Sequence, residues 1–361
     1  MLPLYDDAQS WEGQRREPNL GLEYDKFFAG WDIKESQVSV GSDPKRAFYG
    51  RFVNGLRNYQ PGLLKDYRER RHRLLFGLGG RIFRAKTSWR FVSGLGATHP
   101  LETGFIWHRT LGVPYLPASS IKGMVRAWLV YWLKDEDRAN ELFGDTDTAG
   151  MGRLMFLEAL PEANPRLEVD IMNPHYSDYY SDPKNPPADY YSPVPINFLT
   201  VAAGQWFEFA LAPVQGRATA DDLSQGAALL QEALAILGCG GKTAVGYGAF
   251  EDFQDKTEEL FAPIRRQAEE AILAKLSPVE RRLRQLELAL KKGQPVDKIK
   301  QATMDLFWGI DDLSPEDKVL VARALKRTWV AIGEWDGKLS DKQVEKVAKV
   351  KGLLGEEGHG Q

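Results

Sequence analysis

The chain has 361 residues, 43% of them hydrophobic, and this length and composition predict two domains, each with its own core. Because 47 basic residues face 50 acidic ones, giving a net charge of −3, any RNA site must be a local basic surface. The single cysteine, Cys239, excludes an internal disulfide and a cysteine-cluster zinc site. Neither a signal peptide nor a long apolar run is recognisable, so we expect a cytoplasmic protein with no membrane partner.

The amino-acid composition changes near Asp255, and this change predicts a domain boundary. Residues 1–255, which include an N-terminal extension over about residues 1–80, hold most of the glycine, proline and aromatic residues. Residues 256–361 are rich in Lys, Glu, Ala and Leu and are expected to form a helical module. Three serine caps, each followed three residues on by an acid or amide, mark its helix starts: Ser277 with Glu280, Ser314 with Asp317 and Ser340 with Gln343.

The N-terminal domain is predicted to alternate strands and helices. The pattern places strands at 88–92 (with a hairpin partner at 105–108), 154–157, 206–211 and 247–253, and helices at 121–133 and 221–237. This β-α-β-β-α-β order is the split motif of ferredoxin-like and RNA-recognition folds. The predicted fold class is therefore α+β, a ferredoxin-like core with insertions followed by an all-α module.

A proline-rich segment over residues 173–195 carries five tyrosines. A loop of this length inside a compact domain is usually functional or mobile. Two interpretations stay open. The segment is either a proline-stiffened surface loop whose tyrosines pack on the core, or a binding arm that stacks bases or docks on a neighbouring subunit.

The segment 238–248, called the glycine loop below, contains five glycines. Glycine is favoured where the backbone passes close to another group or adopts positive φ. Lys242 and Thr243 resemble a nucleotide-hydrolase phosphate loop, but that motif needs glycine where Ile236 stands and runs from strand to helix, the reverse of the order here. Backbone N–H groups beside a lysine also suit polynucleotide phosphates. The predicted RNA contacts of this loop are Gly240, Gly241, Lys242, Thr243 and Tyr247. A tight turn that only reverses the chain explains some of the glycines.

A second predicted RNA contact is the start of the first core helix. A helix N-terminus offers free N–H groups and the positive end of the helix dipole, and a lysine in the first turn adds charge. Gly123 at an early helical position costs about 1 kcal/mol relative to alanine, which suggests that something approaches the backbone there. The residues concerned are Ser119, Ser120, Lys122, Gly123 and Arg126. An ordinary serine cap with a solvated lysine is the alternative.

These two segments also carry a family resemblance. Residues 112–126 resemble the first-helix signature of the repeat-associated mysterious protein (RAMP) superfamily of CRISPR systems, and the glycine loop is similar to the C-terminal glycine-rich loop of that superfamily. The tripeptide 142–144 recurs between them in many members. Segments 94–96, 101–104 and 170–176 make the chain most similar to the sixth-subunit family of the type III-B Cmr effector complex. The resemblance covers roughly residues 88–253.

The resemblance implies a subunit at the end of the effector complex. We expect it to be non-catalytic and to need no cofactor or metal, because the sequence shows no carboxylate pair or His-rich spacing that defines such a site. Such a subunit holds the 3′ region of guide RNA, with its target RNA, beside backbone subunits and a small helical subunit. In such complexes the backbone subunit cleaves the target with an aspartate. By chemistry alone, Asp145 and Asp147 are acids that could act here, but exposed loop acids are usually solvated.

Two alternatives to this function remain. Guide-processing relatives cut RNA with a histidine base and no metal, which makes His108 and His175 the catalytic candidates. A pure assembly adaptor would instead work through the tyrosine-rich segment and the C-terminal helices.

Overall fold

The computed structural model describes residues 19–356, apart from residues 29, 35–36, 55–60, 146–147, 149, 183, 188–192 and 194. The chain divides into two compact units, Met1–Ile264 and Arg265–Gln361. Among the described residues, no helix is both long enough and apolar enough to span a bilayer.

Helices and strands alternate through the first unit. Its helices are α1 (Leu20–Lys26), α2 (Ser42–Asn54), α3 (Pro61–Leu78), α4 (Ala118–Ala127, continued by a π-helical turn at Trp128–Trp132), α5 (Glu136–Phe143), α6 (Ser177–Ser181), α7 (Ala220–Ile236) and the start of α8 (Thr257–Lys275). Its strands are β1 (Trp31–Lys34), β2 (Gln37–Val40), β3 (Arg81–Thr87), β4 (Leu154–Pro161), β5 (Leu167–Met172), β6 (Ile196–Val201), β7 (Trp206–Pro213) and β8 (Phe250–Asp255). The predicted mixture of helix and sheet is confirmed.

The central sheet of this unit has four strands in the order β4-β7-β3-β8, and every neighbouring pair is antiparallel. Strand β3 is paired on both sides, with Phe83 opposite Phe209 and Thr87 opposite Phe250. Helix α4 packs on β4, and α7 packs on β7 and β8. Helix α7 begins with a capping box in which Thr219 and Asp222 satisfy each other's backbone N–H groups, as expected of a helix predicted at 221–237.

The prediction of a first strand at 88–92 is wrong. That strand is β3, and within 88–92 only Phe91 pairs, in an isolated bridge to Val201. The sequence pattern does not indicate a strand here, because the basic residues Arg84 and Lys86 interrupt it. In the structure both cations lie over the Trp206 ring, 4.4 and 5.8 Å from its centroid, which stabilises them on the sheet. The predicted hairpin partner at 105–108 is wrong too, since only Trp107 pairs there, with Pro114.

A second antiparallel pair, β5 with β6, escaped prediction. The tyrosine-rich segment joins these two strands, so it extends from the end of a hairpin. Tyr180 is 72% exposed and Tyr179 is 39% exposed, whereas Tyr190 and Tyr191 lie outside the described residues.

A charged cluster is buried between α3 and the sheet. Glu208 of β7 is 1% exposed, and its carboxylate lies 2.9 Å from the Arg68 guanidinium and 2.7 Å from His72 Nε2. Arg71, also buried, places Nε 3.9 Å from the same carboxylate. Burial alone would raise the pKa of Glu208, but the hydrogen bond from His72 and the charges of both arginines lower it to about 2.

Replacing Glu208 is therefore expected to destabilise the first unit. Glu208→Gln leaves the buried Arg71 with only the partly exposed Glu158, 3.7 Å from its guanidinium, as a countercharge. We expect a loss of about 3 kcal/mol of unfolding free energy, at the lower end of the range for a broken buried ion pair. Because the folded pKa of Glu208 lies below its unfolded value near 4.5, its carboxylate stabilises the fold above pH 4.5. That contribution should fade as the pH falls through the window toward 2. Urea titrations at several pH values measure both effects.

Glu259→Gln is the matched control, because Glu259 forms an exposed pair with Lys256. It should change stability by less than about 0.5 kcal/mol. Equal effects of the two substitutions, or an acid limb unchanged in Glu208→Gln, would contradict the role of the buried cluster.

Helices are the only regular secondary structure among the described residues of the second unit. It contains the remainder of α8, α9 (Pro278–Lys291), α10 (Val296–Trp308), α11 (Pro315–Ala331) and α12 (Asp341–Leu353). Its core centres on Trp329, Leu325 and Ile310, each at most 1% exposed. The serine caps are confirmed at Ser277 and Ser314, whose hydroxyls accept the N–H groups of Glu280 and Asp317. Ser340 occupies the N-cap position of α12 without a side-chain capping bond.

Candidate nucleic-acid interface

The glycine loop joins α7 to β8 and is held by backbone hydrogen bonds. At its neck, Cys239 N–H donates to Gly248 O over 2.8 Å. Along one side, Gly241 N–H donates to Val92 O at 2.7 Å and Gly248 N–H donates to Arg90 O at 2.9 Å. The loop is therefore fixed against residues 90–92 rather than free in solvent.

The glycines at the neck are explained by this close backbone contact. Gly248 has a φ of +70°, and a Cβ there would lie 2.0 Å from Cys239 O. Gly240 has a φ of +105°, and a Cβ there would lie 2.3 Å from Val92 O. Both positions require glycine whether or not RNA binds, so their presence does not by itself indicate a ligand.

The tip of the loop presents a lysine. Lys242 adopts a left-handed conformation (φ 59°, ψ 31°) before a 3₁₀ turn at Thr243–Val245. Its Nζ lies 5.7 Å from the centroid of the Phe198 ring, and it forms no ion pair with another described residue. Val245 beside it is 67% exposed. A tight turn that only reverses the chain would need neither the unpaired Lys242 nor an exposed tip. Lys242 and the exposed tip are therefore available to a ligand.

Tyr247 is engaged inside the protein. Its hydroxyl donates to the Asp170 carboxylate, and burial together with that hydrogen bond raises the pKa of Tyr247 to about 12. Arg90 donates to Asp170 at 2.6 Å and to Glu168 at 2.9 Å. Tyr247 therefore attaches the loop to β5. The Arg90 guanidinium also lies 5.3 Å from the centroid of the half-exposed Trp89 ring, an aromatic neighbour that the sequence did not single out.

The start of α4 differs from the predicted serine cap. Its N-cap residue is Pro117, without a side-chain capping bond, and Ser119 and Ser120 stand exposed in the first turn. The interpretation of these serines as caps is wrong, because Pro117 already ends the extended segment. Both hydroxyls are consequently left for other partners.

Within the same helix, Lys122 makes no ion pair with the described residues, whereas Arg126 is committed. Arg126 donates to Asn140 Oδ1 at 2.7 Å and to Gly144 O at 3.2 Å, which fixes α4 to α5 and the turn after it. A Cβ at Gly123 would meet nothing within 4 Å. No described part of the protein therefore accounts for glycine there, and the helix surface is open to a ligand.

The two segments lie at the same end of the sheet, above opposite edges. Leu116, just before α4, bridges Ala159 near the end of β4, while the glycine loop enters β8 at Phe250, opposite Thr87. Three strand spacings separate β4 from β8, or roughly 14 Å at about 4.8 Å each. The structure thus brings both predicted basic segments to one end of the sheet without joining them.

The two candidate histidines, His108 and His175, contact neighbouring tyrosine rings. His108 Nδ1 accepts the Leu111 N–H at 3.2 Å, which leaves the ring proton on Nε2, and the ring packs against Tyr67 and Tyr115. Partial burial lowers the pKa of His108. His175 is exposed and its ring contacts Tyr176.

The acidic candidates and metal ligands can be placed only in part. Asp145 accepts a hydrogen bond from the Thr148 hydroxyl at 2.5 Å, and Asp147 lies outside the described residues. Among the residues that the structure describes, no group of three or more His, Cys, Asp or Glu side chains could hold a metal ion.

Substitutions of the glycines should separate close contact from backbone strain. Gly248→Ala combines positive φ with a collision against Cys239 O, so we expect a loss of about 2 kcal/mol or more of unfolding free energy. Gly246→Ala has a similar φ of +94° but open space around the new methyl, so its cost should stay near 1 kcal/mol. Denaturant titration of both variants measures the difference, and equal losses would mean that the close contact with the Cys239 backbone does not constrain the loop.

Comparison with known proteins places the chain in a family. The model of the RAMP superfamily matches residues 69–251. The Cmr6 subunit of the CRISPR Cmr system of Pyrococcus furiosus is 32% identical over an alignment of 254 residues, covering 53% of this chain and 73% of that protein. Cmr6 of Saccharolobus solfataricus is 31% identical over 156 residues, covering 42% of this chain and 49% of that protein.

Two solved structures are also similar to the chain. A cryo-EM structure of type III-B Cmr-beta bound to cognate target RNA contains a chain that is 23% identical, with a TM-score of 0.47, covering 58% of this chain and 72% of that one. The crystal structure of Cmr6 from Pyrococcus furiosus is 29% identical, with a TM-score of 0.33, covering 47% of this chain and 96% of that one. From the family match and the identity to Cmr6, the chain belongs to the RAMP superfamily and is homologous to the Cmr6 subunit of type III-B Cmr complexes.

Proposed function

We propose that the chain is a non-catalytic, RNA-contacting subunit of a type III-B CRISPR effector complex. In this role it holds the 3′ region of the guide RNA and its duplex with target RNA, beside the backbone and small helical subunits. The observation that carries the proposal is the 32% identity to a Cmr6 subunit over 73% of that protein's length.

The strand topology supports the proposed core. We assign residues 1–255 to an RNA-binding domain with a ferredoxin-like core and residues 256–361 to a helical module. The strand order β4-β7-β3-β8, with α4 and α7 packed on the sheet, supports that core. If β3, β4, β7 and β8 are the first to fourth core strands, this order is the one of the ferredoxin-like split motif.

The proposed RNA contacts are the loop tip and the start of α4. Lys122 and Lys242 are without ion pairs among the described residues. Ser119 and Ser120 are exposed near Lys122, and residues 244–246 are exposed near Lys242. Such groups bind phosphates without reading sequence, which suits a subunit whose specificity comes from base pairing. We assign a supporting role to Tyr247 and Arg126, because internal hydrogen bonds already occupy them.

The test is RNA binding by variants that remove charge without straining the backbone. Lys242→Asn suits the left-handed conformation at that position, and Lys122→Gln keeps a good helix former. Together they should weaken binding of single-stranded RNA about tenfold or more. The slope of log affinity against log salt should become shallower by about 1.4, because the variant no longer neutralises two of the phosphates. Fluorescence anisotropy across a salt series measures both quantities.

Lys65→Gln is the control, because Lys65 is an exposed lysine of α3 that pairs with Glu69 on the same helix. In the assembled complex, guide RNA should crosslink to peptides containing residues 119–126 and 238–248. If complex assembly and crosslinking stay unchanged in the double variant, the chain is an assembly adaptor and the proposal fails. Cleavage of repeat RNA by the isolated protein, lost on substitution of His108 or His175, would indicate a guide-processing nuclease instead.

A further inference from the structure

A groove of about 740 Å³ runs between α9 and α10 of the second unit. The two helices are joined by a short turn, so they run antiparallel. Arg282, near the start of α9, therefore lies at the same end of the groove as Trp308, the last residue of α10. Lys298 and Gln294 line the other end, roughly 15 Å away at about 1.5 Å per helical residue.

The polar side chains that line this groove are unused within the protein. Arg282, Gln285, Gln294, Lys298 and Asp305 make no side-chain hydrogen bond or ion pair with another described residue. Elsewhere in the same unit many charges are paired, as in Lys300 with Glu334 and Lys349 with Asp311, at 2.6 and 2.5 Å. The groove is thus a place where cations and amides are left open.

Trp308 gives the groove an aromatic surface. Its side chain is 67% exposed, and its ring meets Phe307 edge to face with centroids 5.5 Å apart, which holds the indole while leaving its surface accessible. Exposed tryptophan beside arginine is the combination on which single-stranded nucleic acids stack, because every base offers a π-face and every linkage a phosphate.

We propose that the groove between α9 and α10 binds single-stranded RNA. A base stacks on Trp308, Arg282 and Lys298 contact phosphates at the two ends, and Gln285 and Gln294 face base edges. Asp305, the one carboxylate of the lining, accepts a hydrogen bond from a base amino group or a ribose 2′-hydroxyl. This site goes beyond the function proposed above, because it lies in the other unit and uses none of the same residues.

The composition of the groove favours RNA over a partner helix. Grooves that receive an amphipathic helix offer a continuous apolar floor for residues at helical spacing. Here two cations, two amides and a carboxylate interrupt the apolar lining, and a helix seated on them would bury unpaired polar groups.

The experiment measures RNA affinity of the full chain and maps RNA–peptide crosslinks, using a short single-stranded RNA of mixed sequence. Trp308→Ala should weaken binding about five- to a hundredfold with little change in salt dependence, and Trp308→Phe should restore much of it. Arg282→Gln with Lys298→Gln should make the salt slope shallower by about 1.4. Residues 278–308 should crosslink to the RNA.

Matched controls are available on the same chain. Trp132→Ala removes another half-exposed tryptophan, and Lys338→Gln with Lys342→Gln removes two exposed lysines of the second unit outside the groove. All variants are also measured in the Lys122→Gln, Lys242→Asn background. Loss of the remaining affinity on Trp308→Ala in that background supports the groove even if the first interface fails.

Two results would overturn the proposal. One is RNA affinity and crosslinks that do not change in the Trp308 and Arg282–Lys298 variants, whichever background is used. The other is that these variants bind RNA normally but assemble less well into the Cmr complex, which would show that the groove receives a protein partner.

Discussion

The first unit depends on the close backbone contact between the glycine loop and residues 90–92. The N–H groups of Gly241 and Gly248 donate to the carbonyls of Val92 and Arg90. A Cβ at Gly240 would collide with the Val92 carbonyl, and one at Gly248 would collide with the Cys239 carbonyl. Fixing the neck in this way defines the position of the tip, where Lys242 adopts a left-handed backbone conformation. Because the loop loses its conformational entropy when the protein folds, less entropy would be lost when a polyanion binds.

In the proposed ferredoxin-like core, the sheet face on which RNA-recognition folds stack bases is covered. Over Glu208 it is covered by α3, and on the neighbouring strand β3 Arg84 and Lys86 are held by Gln254 and Asp252 of β8 at 2.9 and 2.6 Å. Cations committed to internal partners contribute little to phosphate binding. An RNA-contacting role must therefore use the end of the sheet, where the loop tip and the start of α4 carry the unpaired lysines.

Sequence reasoning succeeded where a local pattern decides the structure. Capping serines such as Ser277 bond to groups three residues away, and the glycine loop is read from composition alone. It failed where the partner is distant in sequence. Strand β3 was not recognised because Arg84 lies over the ring of Trp206, a residue far along the chain. The hydrogen bond from Tyr247 to Asp170 could not be foreseen for the same reason. The buried cluster around Glu208 was missed for the same reason, since Arg68 and Arg71 look like solvated helix residues until β7 is placed beneath them.

The surfaces assigned to RNA carry cations without an ion-pair partner among the described residues. The chain is slightly acidic, and many of its arginines and lysines are neutralised by neighbours, as Arg90 is by Asp170 and Lys300 by Glu334. A paired cation must first give up its partner. Lys122, Arg282 and Lys298 have no ion-pair partner among the described residues to give up, and Lys242 has only the Phe198 ring beside it. In the proposed function, nucleic-acid affinity depends on such open charges and on the aromatic surfaces beside them. For this reason a chain with net negative charge can hold RNA at defined places without binding it over its whole surface.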